Sequence, residues 1–150
     1  MSTTRQTVRV NGKRMVVTTR AGKVTTKPAL PKEWELQAAQ VRRLRAMRGY
    51  GKRFLLAGDQ NASKRGPRAQ QEAIAAGLTP GEADLRIYLE GGRLRLIENK
   101  VGKAPLTESQ RTRHPVLAAL GHDVVVVRAA SCDEAADKAE ALVRGWLEES

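Results

Sequence analysis

Apolar positions recur at helical spacing from Glu33 to Met47 and then give way to short alternating runs, so the pattern predicts a helix feeding a small sheet. At about 100° per residue, Glu33, Gln37, Gln40, Val41, Leu44 and Met47 share one face, and Glu35, Arg42 and Arg45 fall opposite. Gly49 or Gly51 ends the helix. Glu33 is thereby expected to be an inward carboxylate, held by the helix dipole or serving a site. A strand follows over Arg53 to Gly58, then a polar loop containing Asn61, then a helix from Pro67 to Ala76 stopped by Gly77. The turn Leu78-Thr79-Pro80-Gly81 delivers the chain to Asp84. Beyond it Leu85, Ile87 and Leu89 alternate with Arg86 and Tyr88, as in a strand with one buried face. Glu90 to Arg93 turns into a second strand, Leu94 to Lys100.

Thr107 and Gln110 form a capping-box pattern that opens the next helix. Val116, Leu117 and Leu120 are its expected apolar stripe, with Pro115 inside and Gly121 as the stop. Val124 to Val127 is continuously apolar, which predicts a strand buried on both faces. Ser131 and Glu134 repeat the capping box, and Ala135, Ala139, Leu142, Val143 and Trp146 give the last helix its inward stripe. The order predicts an α/β fold, with a mixed sheet flanked by helices over residues 33–150.

Residues 1–32 differ in composition. They hold Arg5, Arg9, Lys13, Arg14, Arg20, Lys23, Lys27 and Lys32 with no Asp or Glu. Val8 and Val10, the pair Asn11-Gly12, then Met15 to Val17 read as a short hairpin, and Ala21-Gly22-Lys23 as a start of a second turn. Such a basic hairpin or arm could grip phosphates through Arg9, Lys13 and Arg14; the other reading is a solvated, partly disordered tail. Trp34 falls away from the Glu33 face and is expected to pack beneath this segment.

Charge narrows the function classes. The chain of 150 residues carries a formal net charge of +11, an excess that suits a polyanion such as nucleic acid. No apolar run approaches the roughly 20 residues of a membrane span, and the N-terminus lacks a secretory apolar stretch, so a cytoplasmic location is expected. Cys132 is the only cysteine, which excludes an internal disulfide and a cysteine-based zinc site. His114 and His122 are too isolated for a His-rich metal site. Aromatic residues make up 3% of the chain and no recognition-helix motif is present, so base-specific readout is not expected to dominate.

The candidate chemistry sits at the sheet. Glu98 and Lys100 share the face of Leu94 and Leu96 by the period of two, and Asp84 opens the strand paired with theirs. An isolated Glu-x-Lys is most simply a strand-end salt bridge. Two carboxylates converging on one point repel, and a divalent cation resolves that repulsion while supplying the means to attack a phosphodiester.

In its collinear pieces the chain resembles the small VRR-NUC (virus-type replication and repair nuclease) domains of the PD-(D/E)xK nuclease superfamily. The pieces are Glu33-x-x-Leu36-Gln37, the Asn61 loop, Gly77-Leu78-Thr79-Pro80-Gly81, Asp84-Leu85, Ile97-Glu98-Asn99-Lys100, Leu106-Thr107-x-x-Gln110, and Gly121 before Val124 to Arg128. The resemblance spans about Glu33 to Arg128. Family members commonly carry Gly-x-Pro-Asp where this chain has Gly81-Glu82-Ala83-Asp84, which puts the rigidity of that turn in question.

What the resemblance implies is an αβββαβ restriction-endonuclease-like core and a Mg²⁺- or Mn²⁺-dependent DNA nuclease of a kind found in phages and bacteria. Asp84, Glu98 and the main-chain carbonyl of Asn99 would hold the metal, with Glu33 reaching the metal or its water shell. Lys100 would orient or help deprotonate the attacking water, and Gln110 would steady the site beside its capping role. Asn61, Lys64 and Arg65 would contact phosphates. Branched DNA is among the implied substrates, and cutting it calls for a homodimer. The alternative is a non-catalytic or partner-activated nucleic-acid-binding protein with the same fold.

Overall fold

The computed structural model describes residues 2–59 and 65–149, so Asn61 and Lys64 lie outside the described residues. The chain forms two compact units, Met1–Pro31 and Lys32–Ser150.

The first unit is a three-stranded antiparallel meander, β1 (Thr3–Val10), β2 (Lys13–Arg20) and β3 (Lys23–Pro28), so the expected hairpin is extended by a third strand through the second turn at Ala21-Gly22. Two turns of the same kind build it. Asn11 and Gly12 have φ of 52° and 78°, and Ala21 and Gly22 have 52° and 75°, the paired positive values that match strand twist in a two-residue hairpin. Asn-Gly announces such a turn in sequence; Ala-Gly does so weakly, because alanine tolerates positive φ poorly.

The second unit begins with α1 (Glu33–Arg45), followed by β4 (Phe54–Gly58), α2 (Pro67–Ala75), β5 (Leu85–Leu89), β6 (Arg93–Val101), α3 (Glu108–Ala119), β7 (Val124–Ala129) and α4 (Cys132–Glu148). A single 3₁₀ turn over Glu90–Gly92 joins β5 to β6. The sheet order is β4-β5-β6-β7, antiparallel except for the β6–β7 pair. This is a mixed four-stranded sheet flanked by helices, in the order αβββαβ with α2 inserted after the first of its strands.

One sheet face carries the core. Phe54, Leu85, Ile87, Leu89, Ile97 and Val127 point from the strands to Leu44 of α1 and to Ala139, Val143 and Trp146 of α4. The stripe foreseen for α4 is the one that is buried, with Leu142 at its edge. On α1 the buried residues are Leu36, Ala39, Gln40 and Leu44, a stripe rotated away from Glu33. Glu33 therefore stands at the border of the packed face with its side chain 45% exposed, not inward as the periodicity suggested. Leu36 closes a smaller cluster with Ala129, Ala135 and Cys132, so the single cysteine acts as a filler at the start of α4.

Two further expectations are corrected. β7 is an edge strand; Val127 and Ala129 are buried on the core side, whereas Val124 and Val126 on the other side are only half-buried. A run of valines cannot distinguish a central strand from an edge strand covered on one side. On α3, Val116 and Leu120 are 58% and 71% exposed, and Gln110 is the only buried residue. That helix is anchored by its N-terminus instead of by an apolar stripe. Among the described residues no helix is long and apolar enough to cross a membrane.

Candidate functional site

The site forms where β5 begins and β6 nears its end. In the antiparallel register Leu85 faces Ile97 and Arg86 faces Leu96, so one further step sets Asp84 opposite Glu98. Opposed residues of a ladder point to the same face, and two carboxylates are thereby made neighbours by the backbone itself. Lys100 follows on that face at the next alternate position, while Asn99 points the other way.

Each member is held by identified bonds. The Asp84 carboxylate accepts the Asn99 N–H at 2.8 Å through Oδ2, and its main-chain carbonyl accepts from Gln37 Nε2 at 3.2 Å and from the Asp59 N–H at 2.9 Å. Gly58 makes the Gln37 contact feasible, since a Cβ there would come within 2.9 Å of Gln37 Nε2. Glu98 is 1% exposed; its Oε1 accepts from Gln110 Nε2, and its Oε2 is buried with no hydrogen-bond partner among the described residues. Gln110 serves two roles at once, because its Oε1 also accepts the Thr107 N–H at 2.8 Å to complete the capping box. Lys100 is 4% exposed with Nζ 3.5 Å from Glu33 Oε1. Glu33 thus meets the ammonium, and among the described residues no three Asp, Glu, His or Cys side chains converge as a ready metal cluster.

Burial dominates the electrostatics. Desolvation pushes the Asp84 carboxyl from 3.8 up to about 6, opposed by the Asn99 N–H and raised further by Glu33. Glu98 is pushed from 4.5 to about 8, by desolvation first and then by the Asp84 charge, with Lys100 pulling the other way. Two neighbouring buried acids that resist ionising together are what a bound cation would relieve. The donor set also fits one: the Asp84 and Glu98 carboxylate oxygens, one of them on Glu98 without a partner among the described residues, are hard ligands suited to Mg²⁺ or Mn²⁺.

The turn that delivers Asp84 does not need the missing proline. Gly81 has φ of 85°, and a Cβ on it would lie 2.5 Å from the Ser109 carbonyl oxygen, so the chain runs tight against the start of α3. Glu82 accepts the Ala83 N–H at 3.1 Å and an Arg113 guanidinium N–H at 2.8 Å, and Ala83 is fully buried. Packing and an ion pair fix this turn in place of ring stiffness.

Behind the site, Gln40 and Asn99 exchange two side-chain hydrogen bonds of 2.8 and 2.7 Å, and Gln40 Nε2 also reaches the Ala135 carbonyl at 3.2 Å. Both are fully buried, so this amide pair fixes β6 against α1 and α4. Sequence reasoning placed Gln40 on the inward face and gave it no role; a glutamine amid buried aliphatic positions was the available signal.

In front, a cleft of about 1040 Å³ opens over Asp84, Glu98, Lys100 and Gln110. Its α1 wall bears Trp34, Ala38, Val41, Arg42 and Arg45, so Trp34, 65% exposed, lines the site. Arg42 and Arg45, read as the outer face of α1, belong to this wall as well. Asp59 was also missed; it lines the cleft and lies 3.6 Å from Arg86. Arg65 sits half-buried just ahead of α2. Arg9, Lys13 and Arg14 belong to the first unit, where Lys13 and Arg14 emerge on opposite faces of the meander. Compared with family models, with curated proteins and with solved structures, the chain finds no match in any of the three.

Proposed function

We propose that this protein is a metal-dependent nuclease that hydrolyses DNA phosphodiester bonds, with Asp84 and Glu98 as the metal-holding carboxylates and Lys100 as the catalytic cation. The observation that carries this reading is the buried Glu98 oxygen without a partner among the described residues, set beside Asp84 on a face that opens into a basic-walled cleft. A purely structural strand-end ion pair would bring Lys100 to Glu98 and leave neither carboxyl short of a partner. Here Lys100 meets Glu33, and burial raises both acids. The likeness to VRR-NUC domains supports the same assignment.

A divalent cation, when bound, supplies charge neutralisation at the phosphate and makes water a better nucleophile at neutral pH. The chain supplies the rest. The Asn99 N–H and Gln110 amide fix the two carboxylates, so the ligand oxygens are oriented before anything binds. The Asn99 main-chain carbonyl is the third donor. Lys100, held by Glu33, lies where it can orient water and offset the negative charge that builds on the phosphate oxygens. Water gives up a proton to solvent as it forms the new P–O bond, the ester P–O bond breaks, and the departing oxygen takes up a proton from solvent. Arg42 and Arg45 hold the flanking backbone along α1.

The test is cleavage of labelled plasmid, single-stranded and four-way-junction DNA with Mg²⁺, Mn²⁺ or EDTA, beside Lys100→Ala. Cutting that needs the metal and falls at least about 100-fold in the variant supports the reading. DNA binding without cutting under every condition assigns the fold to a binding protein. Preference for the junction, with dimers in solution, would extend the proposal to a homodimeric branched-DNA enzyme.

A further inference from the structure

The first unit has two chemically distinct faces. In the registers of the meander, Arg5 pairs with Thr18, Arg9 with Arg14, Arg20 with Lys23, and Lys27 with Val16. Side chains alternate along each strand and paired residues share a face, so Arg5, Arg9, Arg14, Arg20, Lys23 and Lys27 all emerge on one side. The other side carries Val8, Val10, Met15, Val17 and Val24, with Lys13 as its one cation.

Nothing in the folding of a small sheet favours this arrangement. Like charges directly opposite one another weaken a ladder, and here two such pairs occur, Arg9 with Arg14 and Arg20 with Lys23. No acidic residue is present in residues 1–32 to offset them. The remaining positions on the basic face are Val16 and Thr3, Thr7, Thr18 and Thr25, the threonines being short hydroxyl side chains that can donate to phosphate oxygens beside the exposed Arg5, Arg9, Arg20, Lys23 and Lys27. Arg9 faces Arg14 and Arg20 faces Lys23 across neighbouring strands at about 5 Å, whereas along one strand the nearest cations are four residues apart, Arg5 with Arg9 and Lys23 with Lys27, at roughly 13 Å. The result is a positively charged face built around two close cation pairs, with no aromatic residue in residues 1–32 for stacking.

We propose that this face is a phosphate-binding platform for a nucleic-acid backbone, a second DNA-binding surface carried by the chain in addition to the carboxylate cleft. A cationic face without aromatics suits sequence-independent contact with the sugar-phosphate backbone, whose negative charge it complements. Lys13, which sequence reasoning grouped with Arg9 and Arg14, lies outside the platform because it is on the apolar face. The proposal does not depend on the carboxylate site cutting DNA, and its test is done where no cutting occurs.

Binding of the whole 150-residue chain to a fluorescein-labelled DNA duplex is followed by anisotropy in EDTA across a range of salt concentrations. The variants are the quadruple Arg5→Gln, Arg9→Gln, Lys23→Gln, Lys27→Gln; the single changes Arg9→Gln and Lys13→Gln; and a charge-retaining Arg5→Lys, Arg9→Lys, Arg14→Lys, Arg20→Lys. Each neutralised contact should lower the slope of log affinity against log salt by about 0.9, so the quadruple variant should lose about 3 to 4 in slope and at least about tenfold in affinity. Arg9→Gln should weaken binding, Lys13→Gln should leave it within about twofold, and the lysine variant should bind as the parent does. An unchanged slope in the quadruple variant, or equal losses from Arg9→Gln and Lys13→Gln, would overturn the proposal. So would a quadruple variant that keeps DNA affinity and loses binding to phosphatidylserine vesicles, which would assign the face to an anionic membrane. Loss of binding in the lysine variant would show that the arginines act through the fold of the sheet and would overturn it as well.

Discussion

Replacing Glu98 by glutamine should make the metal-free protein more stable at pH 8, although the residue is fully buried and would ordinarily be costly to change. The sign follows from the acid's environment. Glu98 is raised to about 8 in the folded protein against an ordinary value of 4.5, so between those pH values the folded state keeps a proton that the unfolded chain has released. Stability is then greatest below the unfolded value and falls by about 1.4 kcal/mol per pH unit until the folded value is reached. Across this 3.5-unit interval the loss is on the order of 4 to 5 kcal/mol, a large part of a typical domain's total. Asp84, raised to about 6 from 3.8, adds a loss of the same sign at lower pH. Burial lowers the His114 pKa and acts in the opposite direction, but it is common to both proteins and cancels in the comparison.

Glutamine keeps the acceptor that meets Gln110 Nε2 and removes the buried ionisable group. Urea denaturation in EDTA between pH 5 and 8.5 reads the effect. The parent should lose stability steadily towards pH 8, Glu98→Gln should show a shallower decline, and at pH 8 the variant should lead by roughly 3 to 5 kcal/mol. Adding Mg²⁺ should restore the parent, by about 2.7 kcal/mol at a hundredfold excess over Kd, and leave the variant unmoved. A variant less stable than the parent at pH 8, or one with the same pH slope, would refute the view that Glu98 is a strained, ligand-seeking acid.

Three further outcomes follow from the same geometry. Gly81→Ala should lower stability by at least about 2 kcal/mol in thermal denaturation, because the position combines φ of 85° with a 2.5 Å approach to Ser109. Gln110→Glu retains an acceptor for the Thr107 N–H and places a third carboxyl against Glu98; it should keep α3 by circular dichroism and reduce metal-dependent cleavage about 10- to 100-fold, whereas a purely capping role would leave cleavage intact. Trp34→Ala should leave the melting temperature unchanged, since the side chain is 65% exposed, and weaken single-stranded DNA binding by about 1 to 3 kcal/mol, read by anisotropy, if a base stacks on it in the cleft.

The legible parts of this protein were those set by local pattern. Alternation in Leu85 to Leu89 and Leu94 to Lys100, the capping boxes at Thr107 and Ser131, and the small-residue stripe of α4 gave strands, helix starts and a packed face. The pairing of Asp84 with Glu98 followed from a short hairpin whose register leaves little freedom. What escaped notice depended on neighbours remote in sequence. The buried stripe of α1 is rotated towards Leu36 and Gln40 because α4 and the Asn99 amide lie there, and helical periodicity alone includes Glu33 equally well. β7 is half-covered because it ends the sheet, and α3 exposes Val116 and Leu120 because Gln110 and the Gly81 contact anchor it instead. The third strand of the meander depends on Ala21 accepting a positive φ, which its residue type disfavours.

The most direct test of the account is a crystal of the whole 150-residue chain soaked in Mn²⁺ at pH 8, with anomalous difference density measured at the manganese edge. The account predicts a peak bounded by the Asp84 and Glu98 carboxylates and the Asn99 carbonyl oxygen, at about 2.0 to 2.3 Å from each, and its loss in Asp84→Asn. A well-ordered site with no manganese, or a peak that survives the substitution elsewhere in the cleft, would contradict it.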